Sequence, residues 1–263
     1  MKYLLLIFLG LSCFLTVDAQ NDFCSIRNSS FKAGESITFK VYYNLGKMYV
    51  GAGEATFNVS LDKFANRDVY HIVGDGKTFK AYDWIFKVRD RYESYVDTAT
   101  MQPLKFVRNV NEGGYKIYNN VVFNQVGHQA ISTNGTFPVP PCVQDVISAI
   151  YYARNIDFSK YKPDDKIPFA MFLDDQVYNI YIRFLGIEEV NTKFGKFRAI
   201  KFKPLLIKGT IFEGGEKMTV WVSDDENKVP LRVESPISVG NIIVDMVNYG
   251  NLRYPFSSLL NKR

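Results

Sequence analysis

Cys142 is the residue whose position most suggests chemistry, because it comes just before a run of residues with helical spacing. Backbone N–H groups and the dipole at a helix N-terminus stabilise a thiolate. A cysteine nucleophile also needs a base, and the chain contains only His71 and His128. His71 alternates with valines in a strand-like run, His128 follows a glycine in a turn, and no known nucleophile signature surrounds Cys142. The sequence therefore predicts no catalytic residue.

Paired carboxylates occur at Asp174-Asp175 and at Asp224-Asp225. Calcium loops use such oxygens, but the glycine that lets an EF-hand loop turn is missing from both places. Aspartates are also what tight turns prefer, so both pairs are interpreted as turns, and no metal and no cofactor are predicted. Two carboxylates that face each other across a cleft would suit glycan hydrolysis, and spacing along the chain leaves that alternative open.

The N-terminal segment predicts export. One early cation, Lys2, precedes a short apolar run, and the small residues before Ala19 form a cleavage pattern, so residues 1–19 are interpreted as a signal peptide. A lipoprotein box acylated at Cys13 is the alternative, although the apolar run continues past that residue. Cleavage leaves 263 − 19 = 244 residues, interpreted as a single domain over 20–263. The other two cysteines, Cys24 and Cys142, either form a disulfide or stay buried thiols.

Most of the mature chain alternates polar and apolar residues with the period of a strand. Such strands form two runs, at about 31–135 and 160–250, and within each run short turns separate neighbouring strands. At Gly113-Gly114, for example, glycine supplies positive φ without steric cost. Short turns predict antiparallel neighbours, and more than ten strands do not stay in one flat sheet. The predicted fold class is all-β, an antiparallel meander folded into a two-sheet sandwich or a half-open barrel.

One helix near residues 141–155 interrupts the strands. Its apolar stripe includes Val143, Ile147 and Ile150, and Pro140 and Pro141 fix the entry of the chain. Because the helix lies between the two runs of strands, it is predicted to join the two halves and to cover apolar sheet surface.

Charge and composition limit the classes of binding partner that the sequence predicts. The net charge is +5, but the Lys and Arg residues are scattered singly along strands, so nucleic-acid binding is not predicted. No segment is long and apolar enough to predict a transmembrane helix. The aromatic content of 15% in a half-polar sheet suits a groove for a glycan or an acyl chain. The predicted partner is an amphipathic small molecule or another envelope protein, and the oligomeric state is left open.

Two motifs resemble a family of exported bacterial proteins grouped as the domain of unknown function 3108. The motifs are the helix Asp145–Arg154 and the run Val220–Asp225, which leads to Lys228-Val229-Pro230. Gly186, Glu188 and the turn with Gly195 fit the same pattern, and Cys142 lies outside it. The resemblance implies a large β-meander sandwich of the YmcC-like kind, made of two sheets joined by a helix. It also implies an address in the envelope, and it carries no catalytic residues.

The favoured function is a non-enzymatic envelope module that binds or carries an amphipathic lipid or glycan, or that helps assembly with an envelope partner. Its predicted contacts are Asp145, Tyr152, Arg154 and Trp221, although each could be structural, since Arg154 could pair with Asp145 or cap its own helix. The alternative is a hydrolase that acts on envelope glycans or lipids through carboxylates on the concave face of the sheet. The expected location is the periplasm or the outer-membrane periphery of a Gram-negative bacterium.

Overall fold

The structure is a computed structural model that describes residues 24, 26–45, 48–207, 214–237 and 240–262. The predicted signal peptide and Cys13 lie outside the described residues. The strands before the helix are β1 Ser36–Leu45, β2 Met48–Phe64, β3 Arg67–Thr78, β4 Arg89–Asp97, β5 Pro103–Glu112, β6 Tyr115–Asn124, β7 Gln129–Ser132 and β8 Gly135–Pro138. After α1, Val146–Ala153, come β9 Lys166–Leu173, β10 Gln176–Asn191, β11 Gly195–Pro204, β12 Thr219–Ser223, β13 Pro230–Pro236, β14 Asn241–Gly250 and β15 Leu259–Lys262.

All of these strands belong to one antiparallel sheet, which confirms the predicted fold class. The order is β8-β7-β6-β5-β4-β3-β2-β1-β14-β13-β12-β11-β10-β9, and β15 pairs with β11. The two runs of strands are therefore hydrogen-bonded to each other through β1 and β14, in addition to being linked by the helix. Of the two forms left open, the sheet adopts the half-open barrel, because β8 and β9 lie at its two ends without pairing with each other.

The predicted hairpin turns adopt positive-φ backbone conformations, which their glycine and aspartate residues tolerate. Gly113 and Gly114 both have positive φ between β5 and β6, as do Asp174 and Asp175 between β9 and β10. Gly113 has a second reason to lack a side chain, since a Cβ there would lie 2.4 Å from the ring of Phe86. The turn glycine thus also makes room for the segment between β3 and β4.

The helix is shorter than predicted. It begins at Val146 and not near 141, because Gln144 forms backbone hydrogen bonds with Ala170 and Phe172 at the edge of β9. Cys142 accordingly lies before the helix with a positive φ, and it is not at the N-terminus whose N–H groups would stabilise a thiolate.

Helix α1 is buried on almost all sides, with Ile150 as its exposed apolar residue at 38%. It packs against β3 and β4 on one side and against β9 on the other, and so it lies between the first run of strands and the strand that ends the sheet. The larger core cluster surrounds it, and a smaller cluster lies where β1 and β11–β14 meet the C-terminal segment.

Candidate functional site

Asp145, a predicted contact residue, is the N-cap of α1 and is fully buried. Its carboxylate accepts hydrogen bonds from the backbone N–H groups of Ile147 and Ser148, both at 2.8 Å, and from the hydroxyl of Ser94 at 2.6 Å. Burial raises the pKa of Asp145 to about 6, although these hydrogen bonds favour the ionised form. The carboxylate caps the helix and ties it to β4.

Arg154 and Tyr152 lie within the same interior. The guanidinium of Arg154 donates to both carboxylate oxygens of Glu35, at 2.5 and 2.9 Å, and to the carbonyl of Asn227. It therefore pairs with Glu35 and not with Asp145. The hydroxyl of Tyr152 accepts from the backbone N–H of Ile26 at 3.4 Å. Both side chains connect the helix to distant parts of the chain.

Trp221 lies apart from these three, in the smaller core cluster. Its indole N–H donates to the carboxylate of Glu188 at 2.8 Å, and the ammonium of Lys201 lies 5.4 Å from the ring centroid. The four predicted contacts thus do not form one surface. Their part in ligand binding stays a prediction, and the contacts that the structure gives them are structural.

Cys24 and Cys142 are joined by a disulfide, with their Cα atoms 5.3 Å apart. The side-chain amide of Gln102, which follows β4, lies 3.2 Å from the sulfur of Cys142. His71 pairs with Glu93 at 2.8 Å on the outer face of the sheet, away from this bond. The disulfide holds the N-terminal segment against the entry to α1.

An exposed apolar segment, which we call the tip, lies at the opposite end of the sheet. It consists of Trp84, Ile85 and Phe86, which are 83%, 63% and 42% exposed. The tip connects β3 to β4 and follows a 3-10 turn at Lys80–Tyr82. Consecutive large apolar residues with this exposure are unusual on a soluble protein and mark an interaction site.

The tip is held in a fixed shape. The carboxylate of Asp83 accepts from the hydroxyl of Thr78 at 2.7 Å and from the guanidinium of Arg89 at 2.7 Å. These two partners lower the pKa of Asp83. The indole N–H of Trp84 donates to the carbonyl of Ala81 at 3.0 Å, which satisfies its polar edge on the protein side. The apolar side chains are therefore presented by a hydrogen-bonded turn.

A charged groove of about 390 Å³ lies next to the tip and is formed by residues of β2 to β5. Its charges are partly neutralised by ion pairs, such as Arg91 with Asp75 at 3.0 Å and Lys77 with Glu54 at 3.5 Å. The ion pair of Asp83 with Arg89 connects the groove to the tip. The groove is lined by Glu54, Thr56, Asp75, Gly76, Lys77, Arg89, Asp90, Arg91, Asn109 and Asn111.

A carboxyl pair lies on the inner face at the same end of the sheet. Asp90 and Glu112 share a side-chain hydrogen bond. Burial, and to a lesser degree Glu112, raises the pKa of Asp90 to about 7. Burial also raises the pKa of the neighbouring Tyr92 to about 12, and Arg108 hydrogen-bonds to that tyrosine. Such a pair can hold one proton near neutral pH.

Among the described residues, no group of three or more His, Cys, Asp or Glu side chains is arranged to hold a metal ion. The two aspartate pairs that resembled calcium ligands have other roles. Asp174 and Asp175 form a turn, while Asp225 accepts hydrogen bonds from Ser223 and Ser258. In the described part of the chain, no helix has the length and hydropathy needed to cross a membrane.

The sequence held signals for the tip and for the carboxyl pair that the predictions did not use. Trp84, Ile85 and Phe86 break the strand period and are followed by Lys87, a pattern that no core strand requires. Asp90 and Glu112 occupy the inward positions of their strands, because they alternate with outward residues such as Arg91. Their proximity depends on the pairing of β4 with β5, which strand periodicity alone does not give.

Comparisons with known proteins give a family and a fold. The family model described as "Protein of unknown function (DUF3108)" matches residues 38–247. No curated protein matches the chain. A solved structure from Brucella abortus, a beta-barrel-like protein of the domain of unknown function DUF1849, has a TM-score of 0.56 at 7% identity, with 88% of this chain and 100% of that chain covered. This likeness concerns the fold alone.

Two further solved structures are similar at lower TM-scores. One is a protein from Parabacteroides distasonis that is provisionally described as a lipoprotein, with 12% identity, coverage of 86% and 99% of the two chains, and a TM-score of 0.38. The other is a provisionally described exported protein with a YmcC-like fold from Bacteroides fragilis, with 13% identity, the same coverage and a TM-score of 0.32. Because its family model spans most of the sequence, the chain belongs to the DUF3108 family of proteins of unknown function.

Proposed function

We propose that this protein is an exported, non-enzymatic module of the cell envelope that binds an amphipathic lipid or glycan. The proposal rests on the position of the charged groove directly beside the apolar tip at one end of the sheet. The charged groove is connected through the ion pair of Arg89 with Asp83 to the tip, where Trp84 is 83% exposed. A molecule with a polar head and an apolar body would find a complementary surface for each part.

The mixed charge of the groove favours a polar or zwitterionic head over a bare anion. Lys77, Arg89 and Arg91 supply cationic groups, while Glu54 and Asp75 supply carboxylates. The amide side chains of the groove add neutral donors and acceptors, which suit hydroxyl groups. The exported location in this proposal is supported by the disulfide between the N-terminal segment and the helix entry, since such bonds persist in oxidising compartments outside the cytoplasm.

Native mass spectrometry of the protein purified from the envelope of the cells that make it tests this proposal. We expect a co-purifying mass that denaturation releases, and we expect the variant Arg91→Gln to reduce its occupancy. The matched control is Lys63→Gln, which removes a cation from an exposed ion pair with Asp68 at the other end of the sheet. Bare wild-type protein, or equal loss from both variants, would refute binding in the groove.

A hydrolase is the second candidate, and the pair of Asp90 with Glu112 is the observation that favours it. A carboxyl group with a pKa of about 7 is suited to general acid–base catalysis near neutral pH. The two groups are hydrogen-bonded to each other, however, whereas glycosidase carboxyls lie about 5 Å or more apart to flank a sugar. Asp90→Asn would abolish release of sugar or fatty acid from envelope extracts if the pair were catalytic, and we expect no such activity in the wild-type protein.

A further inference from the structure

The tip belongs to a broader end of the sheet that is both aromatic and cationic. Tyr115 follows the turn between β5 and β6 and is 52% exposed, and Tyr49 at the start of β2 is 41% exposed. Both strand ends lie at the same end of the sheet as the tip, because the β5–β6 turn bonds to the segment before β4 and Ala52 bonds to Phe79. Aromatic residues gathered in this way are typical of proteins that meet a lipid–water interface.

Exposed lysines surround the tip. Lys80 and Lys87 flank it in the chain, and Lys116 follows Tyr115 on the neighbouring hairpin. None of the three forms a salt bridge with another residue in the described part of the chain, so their charges are available to an outside partner. Cations beside an exposed apolar segment are complementary to an anionic lipid surface, which takes both kinds of contact at once.

The backbone of the tip is already ordered in the free protein, which suits insertion into a lipid interface. Ile85 and Phe86 both donate backbone hydrogen bonds to the carbonyl of Tyr82, and Lys87 accepts from the N–H of Gly113. Two of the three N–H groups of the tip are thus already bonded, which lowers the cost of moving this backbone into a region without water. The ordering cost of the turn is also met in the free protein, so contact with lipid gains most of the transfer free energy of the apolar side chains.

We propose that this end of the sheet docks on a membrane surface that contains anionic phospholipid, with Trp84, Ile85 and Phe86 entering the interface. The inference deepens the proposed function and rests on it for the location of the protein in the envelope. Docking would place the charged groove at the level of the lipid headgroups, since the ion pair of Arg89 with Asp83 joins the two. The disulfide end would face away from the bilayer, because β4, whose nine residues span about 30 Å, separates the two ends.

Co-sedimentation of the full mature protein with phosphatidylcholine vesicles, with and without phosphatidylglycerol, tests the docking. We expect binding to the anionic vesicles, weakened at least about tenfold by Ile85→Ser with Phe86→Ser, since each exposed side chain adds apolar contact. The double variant Lys80→Glu with Lys87→Glu should weaken it by about fivefold or more for each lysine. The matched control is Leu61→Ser with Val126→Ser, which removes apolar residues that are 62% and 91% exposed at the other end of the sheet.

Tryptophan fluorescence gives a second readout in a Trp221→Phe background, where Trp84 is the remaining indole. We expect a blue shift and protection from an aqueous quencher on anionic vesicles. Wild-type protein that binds neither kind of vesicle, or tip and control variants that bind equally, would overturn the proposal. A dimer that the tip variant dissociates in sedimentation velocity, without vesicles, would assign the tip to a second copy and also overturn it.

The two proposals can fail separately. Arg91→Gln removes a cation of the groove and should lower the occupancy of the co-purifying mass, whereas Ile85→Ser with Phe86→Ser should weaken vesicle binding. Wild-type protein that retains the co-purifying mass but does not bind vesicles would refute membrane docking alone. Vesicle binding without any co-purifying mass would refute the ligand and leave the docking surface in place.

Discussion

Removal of the guanidinium of Arg154 is the sharpest test of the structural role assigned to the buried residues around α1. The side chains of Arg154 and Glu35 are 2% and 0% exposed, and two hydrogen bonds join them. In Arg154→Met, the carboxylate of Glu35 loses its cation in a buried site, which costs roughly 3–5 kcal/mol for a buried pair. The carbonyl of Asn227 also loses its two donors, so we expect a loss at the upper end of this range.

Urea unfolding followed by circular dichroism measures this loss. The double variant Arg154→Met with Glu35→Gln removes both charges and should recover a substantial part of the stability, since the penalty lies mainly in the unpaired carboxylate. Lys63→Met, which breaks an exposed pair with Asp68, is the control and should change the unfolding free energy by about 1 kcal/mol or less. A loss below about 1 kcal/mol in Arg154→Met would refute the structural role and return Arg154 to the list of ligand contacts.

Three further predictions concern the disulfide, the carboxyl pair and the β5–β6 turn. Cys24→Ser with Cys142→Ser should lower stability by about 4–5 kcal/mol in the chain-entropy model, because the bond closes a separation of 118 residues, and non-reducing thermal melts check it. Folding raises the pKa of Asp90, so the folded state binds more protons than the unfolded state between pH about 4 and 7, and the free energy of unfolding falls as the pH rises through that window. Asp90→Asn should flatten this fall, which urea titrations at several pH values measure. Gly113→Ala should destabilise the protein and loosen the tip, because the added Cβ meets a positive φ and the ring of Phe86; a lower melting temperature and faster hydrogen exchange at the amides of Ile85 and Phe86 would report it.

Strand periodicity was enough to predict the fold class, because short turns leave antiparallel neighbours as the only pairing for most strands. It did not predict the pairing of β1 with β14, which joins residues such as Ile37 and Tyr249 from opposite ends of the chain. No local pattern encodes such a contact. Whether a large meander becomes a sandwich or a half-open barrel depends on that one pairing, since it makes the two runs of strands continuous.

The predicted contact residues illustrate a second limit. Asp145 and Arg154 have residue types that bind ligands, and the same chemistry also caps helices and pairs buried charges. Sequence gives the type and the spacing, but the partners Ser94 and Glu35 lie 51 and 119 residues away. The tip was predictable in principle, because Trp84, Ile85 and Phe86 lie outside any strand or helix period and so have no core to enter.

The two ends of the sheet are built for different tasks. At one end, the disulfide of Cys24 with Cys142 and the capped helix hold the N-terminal segment to distant parts of the chain. At the other end, the exposed side chain of Trp84 is fixed by a hydrogen bond from its indole N–H to the carbonyl of Ala81. A polar residue would suit a turn at this position equally well. Apolar exposure that is actively maintained, next to a charged groove and a carboxyl pair, is the pattern expected where a partner completes the surface.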